Sequence, residues 1–375
     1  MSSRERLLPL DALRGLAAFF VAFSWHYRHL VEDAPPPLLG HLHWFYAYGY
    51  NLVDFFFVLS GFVFCHVYQA SILNRRVDFR EYAILRLSRL YPLHLLTLFL
   101  VAGLQWYRMA RYAEPILFPA DFYHFLLNLV YLHAGWFESY ESFNGPSWSI
   151  CCEIIAYIAF FGVLAWSRTR GKRLPLYGAM VLIGITAIRL SPELPLFNYL
   201  MGRAILGFFM GCLTFEASAM LRRHQRANQT TLILLSIALT GVIVMANRIG
   251  MKPFLGEWAL VMTLFIYPAT ILLSLHLSLL YRILSFKPFT YLGEISYSVY
   301  LIHVPAHMIL LTLVDFTNLR VDMTSAFQYG LFILVVLGLS AASYEFFEKP
   351  LSRMARRRYS AWKTAQQART SAQAE

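Results

Sequence analysis

Charged residues are scarce in this sequence. Asp, Glu, Lys and Arg make up 14% of the 375 residues, whereas about a quarter of a soluble domain is charged. Apolar residues account for 58%, and the mean hydropathy is +0.51. A soluble fold could not cover that much apolar surface with polar groups. The composition therefore excludes a soluble globular protein, a disordered chain and a collagen-like repeat, and it favours a membrane protein.

Cysteine is also scarce, with four residues in the chain. Each one lies in an apolar stretch, and the adjacent pair Cys151 and Cys152 is poorly placed for an ordinary bridge. These features exclude a disulfide framework. We expect all four to be buried thiols that pack as small hydrophobic side chains.

Long apolar runs are abundant. The first begins at Leu7 and reaches His26 without a small-residue cleavage site, so we expect a retained span rather than a signal peptide. Ten runs are long enough to predict membrane helices. They cover 8–30, 50–69, 91–107, 148–166, 174–190, 199–217, 230–247, 258–281, 290–313 and 327–346.

The basic residues predict the orientation. Most of the 32 Lys and Arg residues fall in segments on the same side as the N-terminus, and basic residues are retained on the cytoplasmic side. We therefore predict an all-α polytopic bundle of about ten helices with both termini in the cytoplasm. The net charge of +11 is then mostly a topology signal, and no nucleic-acid partner is expected.

The domain organisation is simple, because the sequence contains no internal repeat and no separate soluble domain. Residues 1–350 are predicted to form one membrane domain. Residues 351–375 are basic and polar, and we expect a disordered cytoplasmic tail.

Ionisable residues within the apolar runs are costly there and usually mark a functional site. Four of them lie at a similar depth, roughly 6–8 Å below the outer surface at 1.5 Å per residue. They are His26, Asp54, Glu153 and Arg203. This agreement predicts a cavity that opens to the outside, although any one of them alone is more often structural.

A second group lies near the inner surface. Arg14 lies three residues after Asp11 on the first helix and can pair with it. Arg86 and Arg89 precede the third span, and guanidinium groups can bind phosphate with two hydrogen bonds. From charge alone we favour contact with anionic lipids or a role in topology, which explains most such arginines.

Five segments together resemble the acyltransferase-3 family of integral-membrane O-acyltransferases. They are LDALRGLAAFFVAFSWH (10–26), NLVDFFFVLSGFVF (51–64), ILRLSRLYPLH (84–94), GPSWSICCEI (145–154) and YLGEISYSVYLIHVP (291–305). The resemblance follows the family's order over about residues 8–347. It implies transfer of an acetyl or other short acyl group to a saccharide.

The resemblance also implies site residues. The family's histidine and arginine on the first helix correspond to His26 and Arg14. The substrate-binding positions that it implies are Arg14, Arg86, Arg89, Ser147, Trp148, Ser149, Ser296, Tyr297 and His303, and the matched depth of Arg203 adds that residue. Eleven residues separate Arg14 from His26, whereas the family most often has ten. A regular helix would then direct the two side chains to different faces. Either a one-residue bulge lies between them or they serve separate sites.

The expected chemistry uses His26 as a general base for the acceptor hydroxyl, because imidazole titrates near working pH. Glu153 or Asp54 is expected to orient that imidazole. His303 shares a helical face with Ser296 and Tyr300, and this face either lines the path between donor and acceptor or serves helix packing. The donor is expected to be cytoplasmic acyl-CoA, most simply acetyl-CoA, acting as a co-substrate. No bound cofactor and no metal is expected.

Two other functions remain open. A proton-coupled secondary transporter of an anionic or glycan substrate would use similar intramembrane acids and basic clusters. A glycan-binding scaffold without activity would keep the outer cavity and lose the donor site. The expected partners are a saccharide or glycolipid acceptor, acyl-CoA and membrane lipid. The expected location is the bacterial cytoplasmic (inner) membrane.

Overall fold

The computed structural model describes residues 6–31, 34–113, 116, 119–138, 140–167, 169–223, 225–249, 259–317 and 321–372. Within these ranges the chain is almost entirely helical, and its β structure is limited to an isolated bridge between Leu194 and Phe197. Nine helical stretches in the described ranges are long and apolar enough to cross a membrane. The protein is therefore an all-α polytopic membrane bundle, as predicted.

The helices are numbered in chain order. They are α1 Leu8–Phe20, α2 Leu39–Tyr48, α3 Leu52–Phe64, α4 Ala70–Leu73, α5 Phe79–Tyr112, α6 Phe122–Leu129, α7 Ser147–Trp166, α8 Arg170–Leu190, α9 Tyr199–Arg223, α10 Gln225–Ile249, α11 Tyr267–His276, α12 Ser278–Leu284, α13 Lys287–Glu294, α14 Ser296–Thr317, α15 Ala326–Ser343 and α16 Lys349–Ala372. Four π-helical turns adjoin them, at Val21–Trp25, Cys65–Gln69, Met262–Ile266 and Tyr344–Glu348.

Most predicted spans agree with these helices apart from their ends, but the eighth and the ninth each cross a break between two helices, at Leu277 and at Ile295. The predicted seventh span corresponds to a shorter apolar stretch, Gln229–Met245. Residue 258, where the eighth was expected to begin, lies outside the described residues. The third span begins earlier than predicted, at Phe79, because the Asp78 side chain caps the helix by accepting a hydrogen bond from the Glu81 amide (2.7 Å). The basic segment before Tyr91 is thus the first part of α5.

The end of the chain differs from the expected disordered tail. The part of 351–375 that the structure describes continues α16 as a helix to Ala372. Two contacts join this helix to the start of α5. Lys363 pairs with Glu81 (2.5 Å), and the Arg80 guanidinium lies 4.4 Å from the ring centre of Trp362.

The core of the bundle depends on close helix crossings. α9 packs against α3, α7 and α8. Where α3 and α9 cross, Gly61 and Gly211 lie so close to the opposite backbone that a Cβ on either would overlap a carbonyl group, of Phe208 and Val58 respectively. Small residues at crossings are how membrane helices approach closely. All four cysteines are buried and free, as predicted.

The helices that carry the site residues meet around α14. α1 packs against α13 and α14, and α5 packs against α14. This arrangement places the first and the ninth predicted spans side by side, although nearly 300 residues separate them along the chain.

Candidate functional site

A π-helical turn lies between Arg14 and His26. It covers Val21–Trp25, and the His26 amide donates to the carbonyl of Val21, five residues earlier (3.0 Å). A π turn inserts one residue into the helix, and this insertion offsets the extra residue in the spacing. Arg14 and His26 consequently both contact α14. The bulge hypothesis is confirmed.

Arg14 binds the beginning of α14. Its Nε donates to the Ser296 hydroxyl (2.9 Å), and its Nη2 donates to the Gly293 carbonyl (2.7 Å). The same guanidinium lies 3.3 Å from the Asp11 carboxylate, which confirms the pairing expected on α1. Arg14 is therefore held by three partners at the junction of α13 and α14.

His26 binds a second histidine. Its Nδ1 lies 2.9 Å from Nε2 of His303, and Nδ1 of His303 lies 2.9 Å from the Val299 carbonyl. A carbonyl only accepts, so Nδ1 of His303 carries the hydrogen. In the neutral ring Nε2 of His303 then accepts from Nδ1–H of His26. This order leaves the lone pair of His26 on Nε2.

The predicted polar face of α14 exists, and its members contact two neighbouring elements, the first span and α7. Ser296 accepts the hydrogen bond from Arg14. Tyr300 shares a hydrogen bond with Ser149 on α7 (2.9 Å), and His303 binds His26. These side chains are buried, so they form a polar line through an otherwise apolar bundle.

The first three side chains of α7 each have a different partner. The Ser147 hydroxyl lies 3.0 Å from Nε2 of His133, which precedes α7. Trp148 lies beside Arg203, with the guanidinium 4.9 Å from its ring centre. Ser149 faces Tyr300. Burial, together with the nearby His94, lowers the pKa of His133 to about 3, so the pair of Ser147 and His133 is neutral at ordinary pH.

Glu153 does not face His26. Its carboxylate lies near the hydroxyls of Ser60 and Tyr157 and near the positive charges of Arg86 and Arg89. The expectation that Glu153 orients His26 is therefore corrected. Equal depth fixes only the position along the membrane normal, and the direction around the helix axis places this carboxylate beside α3 and α5.

Asp54 also has another partner. Its carboxylate accepts from Nε of Arg203 (2.8 Å), and Arg203 donates through Nη2 to the Tyr50 carbonyl (3.2 Å). Both members of this ion pair are buried. The expectation that Asp54 orients His26 is corrected too, because Arg203 already neutralises the acid. The four residues of matched depth thus form three separate contacts rather than one cluster.

The inner arginines occupy different surroundings. The Arg86 guanidinium lies over the rings of Phe64 (4.0 Å) and Tyr68 (4.8 Å). Arg89 adds positive charge near Arg14 and near Glu348. The two residues are three apart on α5 but have different surroundings. Arg86 lies among aromatic rings, whereas Arg89 lies beside other charged groups.

A family model described as an acyltransferase domain matches residues 8–345. The chain belongs to this acyltransferase family. Protein 2 in the picA locus of Rhizobium radiobacter is 32% identical over 127 residues, which cover 34% of this chain and 59% of that protein. Acyltransferase MdmB of Streptomyces mycarofaciens is 32% identical over 158 residues, which cover 41% of this chain and 38% of that protein.

The chain thus spans less than two thirds of the length of the curated relatives it matches. No solved structure matches it. Family membership confirms the resemblance, while the direct contact between His26 and His303 comes from the structure alone.

Several polar residues of this acyltransferase-family chain were missed by sequence reasoning. Ser298 donates a hydrogen bond to Glu348, a buried acid at the end of the last apolar run. Ser60, His133 and Tyr157 are the others. The sequence could have pointed to Glu348, because acids are rare in apolar runs. Nothing in the sequence distinguishes Ser60, Ser298 or Tyr157 in this way. Among the described residues, no group of three or more His, Cys, Asp or Glu side chains could hold a metal ion.

Proposed function

We propose that this protein is a membrane O-acyltransferase that transfers an acyl group, most simply acetyl, from acyl-CoA to a hydroxyl of a saccharide or glycolipid. The observation that carries the proposal is the hydrogen bond between His26 and His303. A histidine pair with an ordered direction of donation is suited to proton transfer. The family membership supports acyl transfer as the reaction.

His26 is proposed as the general base. Because His303 accepts the Nδ1–H hydrogen bond, Nε2 of His26 can take the proton of the acceptor hydroxyl. The hydroxyl oxygen attacks the thioester carbonyl, the new C–O bond forms and the C–S bond breaks. The proton then passes to the departing thiolate. His303 holds the imidazole in this tautomer and stabilises its charged form, as an orienting partner does in other nucleophilic sites.

The donor is proposed to bind near Arg14 and Arg89. These guanidinium groups supply positive charge around the start of α14, where Asp11, Glu153 and Glu348 are the neighbouring acids. Arg14 and His26 are twelve positions apart, which corresponds to about 18 Å along a helix. That distance is comparable to the pantetheine arm, so phosphates near Arg14 and a thioester near His26 fit one donor molecule.

The acceptor is proposed to enter from the end of the bundle that contains Arg203. Its guanidinium is surrounded by Tyr50, Trp148 and Tyr199 at 4.9–5.9 Å. Aromatic rings with nearby hydrogen-bonding groups suit a saccharide.

We also propose that the protein lies in a bacterial inner membrane with both termini in the cytoplasm. Fusions of periplasmic and cytoplasmic reporters to the two ends would test this orientation.

The reaction is tested with the full-length protein in proteoliposomes, supplied with radiolabelled acetyl-CoA and an extract of surface saccharide. We expect label on the saccharide with the wild-type protein and none with His26→Ala. Uptake of saccharide without transfer of label would instead identify a transporter. Saccharide binding without uptake or transfer would identify a scaffold.

A further inference from the structure

An apolar groove of about 640 Å³ lies between α5 and the junction of α15 with α16. Residues from Ile84 to Phe99 form one wall, and Phe347 and Leu351 form the other. Among the lining hydroxyls, that of Ser88 donates to the Leu85 carbonyl and that of Tyr91 to the Leu129 carbonyl. The groove therefore offers an apolar surface to its occupant.

A basic crevice of about 380 Å³ follows on the same helix. It is lined by Pro350, Arg353, Met354, Arg357 and Arg358. The ion pairs of α16 within the described residues are Lys349 with Glu345 and Lys363 with Glu81. The three arginines of the crevice are exposed and available to an external anion.

The groove and the crevice follow one another along the same helix face. Phe347 and Leu351 line the groove, whereas Met354 and Arg358 line the crevice. These positions are separated by four, three and four residues, so they lie on one face of the helix. An occupant of the groove that extends along this face consequently reaches the guanidinium groups.

The dimensions fit a lipid. The wall from Ile84 to Phe99 is about 22 Å long, which exceeds the depth of one leaflet, about half of a hydrocarbon core of about 30 Å. Arg358 lies about 10 Å beyond Leu351 along α16. Guanidinium groups bind phosphate with paired, charge-assisted hydrogen bonds.

We propose that this surface is a binding site for one anionic phospholipid. An acyl chain occupies the groove between α5 and α16, and the headgroup phosphate binds Arg353, Arg357 and Arg358. The site is separate from the proposed acyl transfer and does not depend on it. A bound lipid would reinforce the two contacts that already join α16 to α5, the helix that carries Arg86 and Arg89.

The test uses the full-length protein in vesicles of phosphatidylcholine with a minor fraction of phosphatidylglycerol. After extraction in mild detergent, native mass spectrometry counts the lipids retained by each protein. We expect one retained phosphatidylglycerol and no retained phosphatidylcholine. Arg357→Gln and Arg358→Gln should each weaken retention about fivefold. Arg356→Gln is the matched control, because Arg356 is exposed on the same helix and does not line the crevice.

The groove is tested separately from the headgroup. Leu87→Trp should fill the groove and reduce retention, whereas Leu100→Trp, at an exposed position of α5 away from the groove, should not. Phosphatidylglycerol with six-carbon acyl chains tests the groove in the unaltered protein, and it should be retained less than the long-chain lipid. Equal retention of both headgroups, equal effects of Arg356→Gln and Arg358→Gln, or full displacement by glycerol phosphate would each overturn the proposal.

Discussion

Nε2 of His303 lies 2.9 Å from Nδ1 of His26, although 277 residues separate them in the chain. The contact exists because a π turn at Val21–Trp25 rotates the end of the first span towards α14. The carbonyl of Val299 then fixes the hydrogen on Nδ1 of His303. The π turn thus brings the two rings together, and the Val299 carbonyl, acting through His303, leaves the lone pair of His26 on Nε2.

The first prediction concerns this pair. His26→Ala should lower acyl transfer by about 10²- to 10⁴-fold, the contribution usual for a general base. His303→Gln should retain more activity than His303→Ala, because the amide oxygen can still accept from Nδ1 of His26. Initial rates in proteoliposomes measure both effects. His41→Ala, at an exposed position on α2, is the matched control and should leave the rate unchanged.

The double variant separates a catalytic unit from two independent residues. His26→Ala with His303→Ala should be hardly slower than His26→Ala alone, because residues that act together are non-additive. Independent losses that multiply would argue against the pair.

The second prediction distinguishes the two inner arginines. Arg89→Ala should weaken acyl-CoA binding, and Arg89→Lys should restore it only in part, because lysine lacks the planar fork. Arg86→Ala should lower thermal stability more than donor affinity, since Arg86 lies between aromatic rings and faces Glu153. Isothermal titration with a non-hydrolysable acyl-CoA analogue measures affinity. Unchanged affinity in both alanine variants would return the arginines to a topology role.

The third prediction concerns Glu153. Its contacts with Ser60 and Tyr157, near Arg86, indicate that Glu153→Gln acts through α3 and α5 rather than through His26. A double-mutant cycle for stability with Arg86→Ala should show a coupling of about 0.5–3 kcal/mol. The residual rates of Glu153→Gln and His26→Ala should in contrast multiply in the combined variant. Strong coupling of Glu153 to His26 would contradict the geometry.

The sequence predicts more of the fold than of the site, and the reasons are physical. Apolar runs locate membrane helices because the bilayer thickness fixes their length. The same reasoning placed His26, Asp54, Glu153 and Arg203 at one depth, which the helical rise determines. It could not give their directions, because rotation about each axis depends on packing against neighbours. Asp54 and Glu153 were consequently assigned to the wrong partner.

Spacing within one helix was more informative. The extra residue between Arg14 and His26 led to the alternative of a bulge, and the structure contains it. The pairing of Asp11 with Arg14 was likewise local. The contact of Ser147 with His133 could not be predicted in this way, because it joins α7 to the loop before it and leaves no periodic pattern.

The fourth prediction concerns the buried pair of Asp54 and Arg203. Asp54→Ala should destabilise the protein by about 3–5 kcal/mol, because it leaves a guanidinium buried without its partner. The double change Asp54→Ala with Arg203→Met should recover part of that loss, since no uncompensated charge remains. Thermal unfolding in detergent measures both. A double variant less stable than Asp54→Ala would show that the pair stabilises the fold beyond mutual neutralisation.

The last prediction concerns the crossing of α3 and α9. A Cβ at Gly211 would overlap the Val58 carbonyl, so Gly211→Ala must push two backbones apart. Overpacking of this kind costs about 1–3 kcal/mol, and the shift would also disturb Asp54 and Arg203, which lie on the same two helices. Gly162→Ala is the matched control, because Gly162 is also within a membrane helix and a Cβ there meets nothing within 4 Å. It should be neutral or stabilise α7 by up to about 1 kcal/mol, the difference in helix propensity. If Gly211→Ala and Gly162→Ala unfold at the same temperature, the two helices do not depend on a glycine at their crossing.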